Sequence, residues 1–341
     1  MTPKLNQNLD EKVRFLAAPG VLAPDETPAS RETHMSWVFL TKELVFKLKK
    51  PVRHSYLDFS TCSAREVACR EELRINQRLA PGVYLRLVRL TCEPGGGLCL
   101  DGPGETADWL VVMRRLPAEF MLDNRIRAGA ATPAGIARLV EHLLGFYRTA
   151  LQDSLTPEDY VDRFRMQLTE NRKTISLSRF AIDHGRAHAV MDRLDVRLSE
   201  LDDVIRQRVS EGRIVEGHGD LRPEHVWLGD PIRVIDRIEF NRDLRMVDPF
   251  DELAFLGMEC AVAGANWVAP ILIRAASDAL GAPPAGLIDF YTAMRASLRA
   301  RLSLAHLLDP QPRDPAKWEP QAERYLDQAA CALNLPRRQA P

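Results

Sequence analysis

Residues 218–225 read His-Gly-Asp-Leu-Arg-Pro-Glu-His, and Ile235-Asp236 follows them at the end of a short apolar run. Asp220 and Asp236 are therefore predicted to lie on two short loops, each next to a strand-like segment. Phosphoryl transfer uses two acids placed in this way: one receives the proton of the attacking hydroxyl, and the other holds magnesium on the ATP phosphates. The spacing thus predicts a phosphoryl-transfer site, with Asp220 as the base and Asp236 as the magnesium ligand.

The loop at residues 218–225 differs in its last residue from the protein-kinase pattern His-Arg-Asp-Leu-x-x-x-Asn. His225 stands where that pattern has the Asn that helps to hold magnesium. Imidazole prefers softer divalent ions, so His225 is a candidate for a metal or nucleotide contact, with a hydrogen bond to Asp220 or to a phosphate as the alternative. His218 is predicted to pin the loop through backbone hydrogen bonds, and we group it with Asp220 as the predicted catalytic residues.

Both acids also have an ordinary structural interpretation. Asp220 can close a turn, and Asp236 can end its strand and pair with Arg237. A further alternative takes His218, Asp220, His225 and Asp236 as a zinc or iron hydrolase site, although their spacing matches no ligand pair such as His-x-x-x-His.

A second group of candidates lies in an apolar run near the N-terminus. Strand alternation places Lys47 and Lys49 on the same face of this run. One such lysine can pair the α- and β-phosphates of ATP if an acid of the following helix holds it. Glu71 and Glu72 lie in that helix; we choose Lys47 and Glu72, while the other combinations and a solvated face of edge lysines stay open. Without a Gly-x-Gly-x-x-Gly or Walker motif, the polar loop at Arg31–Ser36 is expected to cover the phosphates.

Periodicity along the chain predicts a small mixed lobe followed by a mostly helical one. Two strands, one helix and two further strands are predicted at residues 35–40, 44–49, 63–79, 83–90 and 108–113. Residues 19–33 are predicted to form a loop, and Ser63 with Glu66 a capping box. From about residue 119 the pattern is helical except at 214–236. We predict an α+β, bilobal kinase-like fold, with an N-terminal nucleotide-binding lobe at 1–116 and a helical C-terminal lobe carrying the catalytic and metal-binding loops at 117–341.

Composition narrows the function classes further. The chain has 46 Lys and Arg against 47 Asp and Glu, so no global charge favours nucleic acid or an anionic membrane as partner. Its apolar runs are far shorter than the ~20 residues of a membrane span, and charged residues interrupt the N-terminal segment before a signal sequence can form. The six cysteines include no Cys-x-x-Cys pair. These features predict a reduced, cytoplasmic protein, and they leave its oligomeric state open.

Further charged residues surround the two predicted loops. Asp248-Pro249 is predicted to begin a helix with acids in its first turn, one of which is a candidate brace for the catalytic loop. Glu239 and Asn241 are candidates for metal support, substrate binding or surface pairing. Four arginines are expected to pair with local acids or to meet an anionic substrate: Arg233, Arg237, Arg242 and Arg245.

Taken in order, these motifs resemble those of the aminoglycoside phosphotransferase and choline-kinase-like superfamily. That group has His-Gly-Asp-x-x-x-x-Asn, an Ile-Asp strand end, and a helix that starts as Asp-Pro-x-x-Asp-Leu-Ala. The matching segments here are His218-Gly219-Asp220, Ile235-Asp236, Asp248-Pro249 and Asp251-Glu252-Leu253-Ala254. Residues 32–40 and 239–241 look like those of an uncharacterised bacterial branch. The resemblance spans roughly residues 30–310.

The resemblance implies a protein-kinase-like fold, ATP and magnesium as cofactors, and a small-molecule hydroxyl compound as the acceptor. It also implies that Asp220 is the base and Asp236 the metal ligand. The identity of the acceptor does not follow, because one fold serves many substrates. Since His225 replaces the Asn of the family, a nucleotide-binding pseudokinase that regulates a partner is the second hypothesis.

Overall fold

The computed structural model describes residues 8–54, 56–150 and 155–336. The elements of these residues are, in chain order, α1 (Leu9–Ala17), β1 (Ala29–Glu32), β2 (Ser36–Leu40), β3 (Leu44–Lys49), β4 (Arg53–His54), β5 (Leu57–Asp58), α2 (Cys62–Asn76), β6 (Tyr84–Cys92), β7 (Leu98–Leu100), β8 (Glu105–Arg114), α3 (Leu122–Arg127), α4 (Pro133–Arg148), α5 (Pro157–Ile175), α6 (His184–Ser210), β9 (Val215–Glu216), β10 (Val226–Trp227), β11 (Arg233–Val234), β12 (Met246–Val247), α7 (Pro249–Val262), α8 (Val268–Leu280), α9 (Leu287–Ala305) and α10 (Pro315–Ala332).

The chain divides into two compact units that do not follow a single cut. The first unit combines Met1–Met121 with His225–Arg245, and the second combines Leu122–Glu224 with Met246–Pro341. The sequence prediction had assigned residues 225–245 to the C-terminal lobe. They belong to the first unit because β11 and its neighbours bond to it: the amide of Val234 donates to the carbonyl of Leu79. The ends of the predicted lobes, residues 1–7 and 337–341, lie outside the described residues.

The first unit is built on an antiparallel sheet with the order β1-β2-β3-β8-β6-β7. Side-chain alternation in β3 separates two faces. Phe46 and Leu48 are buried with Leu16 of α1 in one core cluster, while Val45 packs on the opposite side with Cys69 of α2. Lys47 and Lys49 therefore share the face that α2 covers, as the alternation predicted.

The second unit is mostly helical, and several of its helices start with the same local signal. A polar N-cap is followed directly by proline at the first helical position in α4, α5 and α7. The cap side chain accepts a backbone N–H that the helix leaves without a partner, and proline fits there because it has no N–H to satisfy. Helix α7 begins in this way, with Asp248 as its N-cap, which confirms the predicted helix start.

The structure confirms the predicted α+β class and corrects two local assignments in the first unit. Part of the predicted loop forms β1, whose residues pair with β2 through the backbone although their side chains show no apolar alternation. The predicted capping box at Ser63 and Glu66 is wrong: Thr61 is the N-cap of α2, and its hydroxyl accepts the amide of Ala64 at 3.1 Å. No helix among the described residues is long and apolar enough to cross a membrane.

Candidate active site

The predicted site residues fall into two groups, one in each unit. In the first unit, Glu72 of α2 binds both lysines of β3. Its Oε1 accepts from Lys47 Nζ at 2.9 Å, and its Oε2 accepts from Lys49 Nζ at 2.6 Å. Glu71, the other acid considered, instead binds Arg74 and Arg245. Of the two glutamates, the structure therefore places Glu72 in contact with both candidate lysines, whereas Glu71 has arginine partners.

Asp236 belongs to the same cluster. Its Oδ1 lies 2.6 Å from Lys47 Nζ, so this lysine bridges Asp236 and Glu72. The backbone of Asp236 is left-handed, with φ +64°, a conformation that non-glycine residues adopt rarely and that is enriched at functional sites. The hydroxyl of Tyr84 accepts the Asp236 amide at 2.9 Å. No local sequence signal marks this tyrosine, because it lies on β6, far from Asp236 in the chain.

The charges of this cluster keep its central groups ionised. Burial alone lowers the pKa of Lys47, but the carboxylates of Asp236 and Glu72 outweigh it and hold that pKa well above its usual value. Burial raises the pKa of Asp236 and of Glu72, yet in both residues the nearby cations, with Lys47 the strongest and Lys49 among the others, together outweigh it, and the pKa is lowered. These residues thus form a network of ion pairs in which carboxylates and ammonium groups alternate around Lys47.

The residues around Asp236 also decide whether magnesium fits. The Asp236 side chain is 42% exposed, and its Oδ2 lies 3.7 Å from Nε2 of His225. Magnesium takes one or two carboxylates and fills its other positions with water and substrate phosphates, so an ionised, accessible aspartate suits it. In the described parts of the chain, no group of three or more His, Cys, Asp and Glu side chains is arranged to hold a metal ion.

In the second unit, the loop with His218 and Asp220 is fastened to α7. His218 is fully buried, and its Nδ1 accepts the amide of Asp220 at 3.2 Å. The backbone N–H groups of His218 and Gly219 donate to the carboxylate of Glu252, and Tyr147 Oη donates to the same carboxylate at 3.0 Å. The brace that the helix start was predicted to supply is therefore Glu252. Gly219, at φ +91°, has a backbone conformation that side chains disfavour.

Asp220 itself is 33% exposed and sits beside an arginine of its own loop. Its Oδ2 lies 3.0 Å from Nη2 of Arg222, whose Nη1 lies 2.6 Å from Oε1 of Glu224. Burial alone lowers the pKa of Arg222, but the charges of Asp220 and Glu224 outweigh it and the pKa is raised. Arg222 is a neighbour of the predicted base that sequence reasoning did not single out.

The other charged candidates have mostly structural partners. Arg245 is buried and binds Glu71, and Arg237 is buried and donates to the carbonyl of Ile75 at 2.8 Å. Arg245 therefore pairs with an acid, as one of the two expectations had it, but this acid is distant in the sequence, and the partner of Arg237 named here is a backbone carbonyl. Glu239 binds Lys49, and Asn241 accepts the amide of Asp243. Of the two, only Glu239 is part of the charge cluster.

Comparison by sequence finds relatives whose activity is not stated. Comparison by structure finds small-molecule kinases and phosphotransferases. No protein-family model matches the chain. Uncharacterised proteins of Mycobacterium bovis and Mycobacterium tuberculosis are 30% identical over 320 residues, which cover 89% of this chain and 61% of theirs. The chain thus spans about three fifths of the length of these relatives.

Solved structures match over nearly the whole chain. A choline/ethanolamine kinase family protein of Mesorhizobium loti superposes with a TM-score of 0.54 at 18% identity, covering 96% of this chain and 95% of that one. A choline kinase of Cryptosporidium parvum gives 0.53 at 11%, covering 90% and 89%. This chain has the fold of the small-molecule kinases. The GDP complex of aminoglycoside 2′-phosphotransferase-IIIa agrees, with 0.51 at 13%, covering 95% and 99%. The fold implied by the motifs is confirmed.

Proposed function

We propose that this chain is an ATP-dependent phosphotransferase that acts on a hydroxyl of a small molecule. The observation that carries the proposal is the bridging position of Lys47 between Glu72 and Asp236. A lysine held in this way is a fixed point charge for nucleotide phosphates. The kinase fold, and the GDP bound by one structural neighbour, support a nucleotide as the ligand.

Asp236, with His225 beside it, would hold magnesium in this enzyme. The bound ion would neutralise charge on the nucleotide phosphates. Asp236 suits this role because its carboxylate is both ionised and accessible, while Lys47 balances its charge in the absence of a ligand. His225 would add a weaker contact, since imidazole is a poor ligand for magnesium.

Asp220 would act as the base that receives the proton of the acceptor hydroxyl. A general base has to reach the hydroxyl directly or through one water. The carboxylate of Asp220 is partly exposed, so an acceptor or a water molecule has access to it. The loop that carries it is fastened to α7, because Glu252 accepts hydrogen bonds from two of its backbone amides. His218 contributes by fixing the Asp220 amide, which makes it a positioning residue in this proposal.

The test is a screen for phosphate transfer from magnesium-ATP to a library of hydroxyl-bearing metabolites. Asp220→Ala is expected to lower the rate on any accepted compound by about 10²–10⁴-fold, the usual contribution of a general base. Asp203→Ala, which removes an exposed acid of α6 in the same unit, is the matched control and should retain the wild-type rate. Unchanged turnover in a folded Asp220→Ala protein would refute the assignment of the base.

The second candidate, a nucleotide-binding pseudokinase, is favoured by one observation. His225 places a ring nitrogen, not a carboxamide oxygen, beside Asp236. The two functions differ in their metal dependence, because a regulatory module can bind nucleotide without using magnesium for chemistry. Equal ATP affinity in magnesium and in chelator, with no labelled acceptor in the screen, would favour the pseudokinase.

A further inference from the structure

Lys49 and Glu239 form a second ion pair that the phosphotransfer machinery does not explain. Lys49 is fully buried and Glu239 is 8% exposed. The Lys49 ammonium binds both Glu239 and Glu72, and it lies 5.1 Å from the centre of the Phe59 ring. Charges are rarely buried to this extent unless they are paired, and even then the loss of hydration offsets much of the attraction. An apolar pair would fill the same space with a smaller loss of hydration free energy. The burial of these two charges therefore needs an explanation.

Glu72 supplies the first part of that reason. Each of its two carboxylate oxygens has one lysine: Oε1 has Lys47 and Oε2 has Lys49. Without Lys49, Oε2 would lose its ammonium donor, and the carboxylate could rotate away from Lys47. Lys49 therefore fixes the orientation in which Glu72 holds Lys47.

The chain segment from Asp236 to Glu239 supplies the second part. Its start is attached through the Asp236 amide to Tyr84, and through the Arg237 amide to Asn76 Oδ1 at 3.0 Å. Its end is attached through Glu239 to Lys49. A left-handed residue such as Asp236 persists only where its surroundings fix it. The Lys49–Glu239 pair thus fastens the far end of the segment that presents the Asp236 carboxylate.

We propose that Lys49 and Glu239 are positioning residues that hold Glu72 and Asp236 in the geometry in which Lys47 bridges them and Asp236 meets magnesium. The inference rests on the proposed function, because it concerns how the nucleotide-magnesium site is kept in shape. It assigns Glu239 no contact with the metal, since its carboxylate is engaged by Lys49. Partners that orient a metal ligand typically contribute 10–100-fold to metal affinity.

The test measures how much magnesium improves ATP affinity, as the ratio of the dissociation constant in chelator to that in magnesium. Glu239→Gln and Lys49→Met are each expected to lower this ratio by about 10-fold or more, whereas Lys49→Arg, which keeps a cation there, should retain most of it. Lys12→Met is the matched control. It also removes a lysine from a buried cluster of the first unit, and it leaves Asp108 its partner Arg65. This control should lower stability without changing the ratio.

A double-mutant cycle tests the geometry without any ligand. Lys47→Met and Glu239→Gln alter side chains that act on each other directly through their charges and also through Glu72 and Asp236, so their effects on the unfolding equilibrium constant should depart from additivity by about threefold or more. Lys47→Met and Lys12→Met should be additive. Where Glu239→Gln does not fold, Glu239→Asp replaces it, since it keeps the charge and shortens the reach.

The outcomes separate the two proposals. Wild-type protein that binds no ATP, or that binds ATP equally well in magnesium and in chelator, would overturn the proposed function and this inference together. Wild-type binding that depends on magnesium, with the same ratio in Glu239→Gln and Lys49→Met, would overturn the inference alone. A lower ratio in both variants, an unchanged ratio in Lys12→Met and a non-additive cycle would support it.

Discussion

Two glutamates, one in each unit, are almost completely removed from water, and yet their pKa values are shifted in opposite directions. Glu72 of α2 has two ammonium partners, and Glu252 of α7 has two backbone amides and the hydroxyl of Tyr147. Burial raises the pKa of both. For Glu72 the charges of Lys47 and Lys49 outweigh burial and lower the pKa, whereas for Glu252 burial prevails and the pKa is raised.

The difference teaches what each carboxylate contributes to its region. Glu72 acts as a counter-ion, because its charge is needed to keep two lysines in a buried place. Glu252 acts as a fixed acceptor that ties the loop of His218 and Gly219 to a helix, and this task depends on lone pairs more than on charge. Equal burial therefore says little about the role of an acid until its partners are known.

Glutamine substitution at the two sites should give unequal losses of stability. Glu72→Gln leaves two buried ammonium groups without their shared anion, and we expect it to lower the free energy of unfolding by about 3–5 kcal/mol. Glu252→Gln keeps an acceptor oxygen for the loop amides, and we expect a loss of about 1–2 kcal/mol. Urea unfolding at neutral pH measures both. Equal losses would show that the two carboxylates do the same work.

The pH dependence of these losses should have opposite signs. A lowered pKa means that the stability from Glu72 is present above the ordinary glutamate pKa of about 4.3 and disappears as the pH falls through the folded-state value. A raised pKa means that the contribution of Glu252 becomes less favourable as the pH rises from about 4.3 through its folded-state value.

The loss caused by Glu72→Gln should therefore grow as the pH rises from 3 to 8, and the loss caused by Glu252→Gln should shrink. Unfolding of the wild type and both variants across this range, in one buffer series of constant ionic strength, measures the two trends. Parallel trends would mean that one of the two directions is wrong.

Substitution of Gly217 tests whether the atoms around Glu252 can move to accept a larger side chain. A Cβ at this position would lie 2.6 Å from Glu252 Oε2 and 2.6 Å from Val247 Cγ2. Because Glu252 is held by three donors, we expect Gly217→Ala to cost about 1–3 kcal/mol. Gly145→Ala is the matched control: its Cβ would meet nothing within 4 Å on α4, so it should stabilise the protein by about 0.5–1 kcal/mol. A neutral result for Gly217→Ala would show that the brace is loose.

A substitution of His225, which lies beside Asp236, is expected to have the smallest effect, and this effect is on the rate of phosphate transfer. His225→Asn places a harder oxygen ligand near Asp236, and we expect it to keep or raise magnesium-dependent phosphate transfer. Initial rates at several magnesium concentrations measure this. A loss of more than about tenfold in a folded variant would instead give His225 a task of its own, such as orienting its neighbour.

The sequence predicted those features that depend on local pattern. Alternation placed Lys47 and Lys49 on one face, and the Asp-Pro pair marked the start of α7. It did not predict β1, because the residues Ala29–Glu32 have no apolar alternation and pair only through their backbone with β2. Thr61 was missed as a helix cap because Ser63 offered a competing signal two residues later.

Within the candidate site, the contacts that the sequence did not predict are those between residues far apart in the chain. Alternation alone does not separate Lys47 from Lys49, because both lie on the same face of β3, so the choice of Lys47 left the other combination open; in the structure both lysines contact Glu72. Glu71 and Glu72 are adjacent, but successive helix positions point in different directions, so only the second faces β3. Nothing local connects Tyr84 with Asp236, or Lys49 with Glu239, because each pair joins elements far apart in the chain.

The order in which the chain is synthesised has a consequence for the first unit, which combines Met1–Met121 with His225–Arg245. The strands of its sheet are translated early, whereas Asp236 and Glu239 follow only after residues 122–224. Until then, the growing chain has two ammonium groups on one face of β3 and a single carboxylate, Glu72, to share between them. Burial of both ammonium groups against one anion is costly. The two further carboxylates that balance these charges are supplied only once residue 239 has been translated.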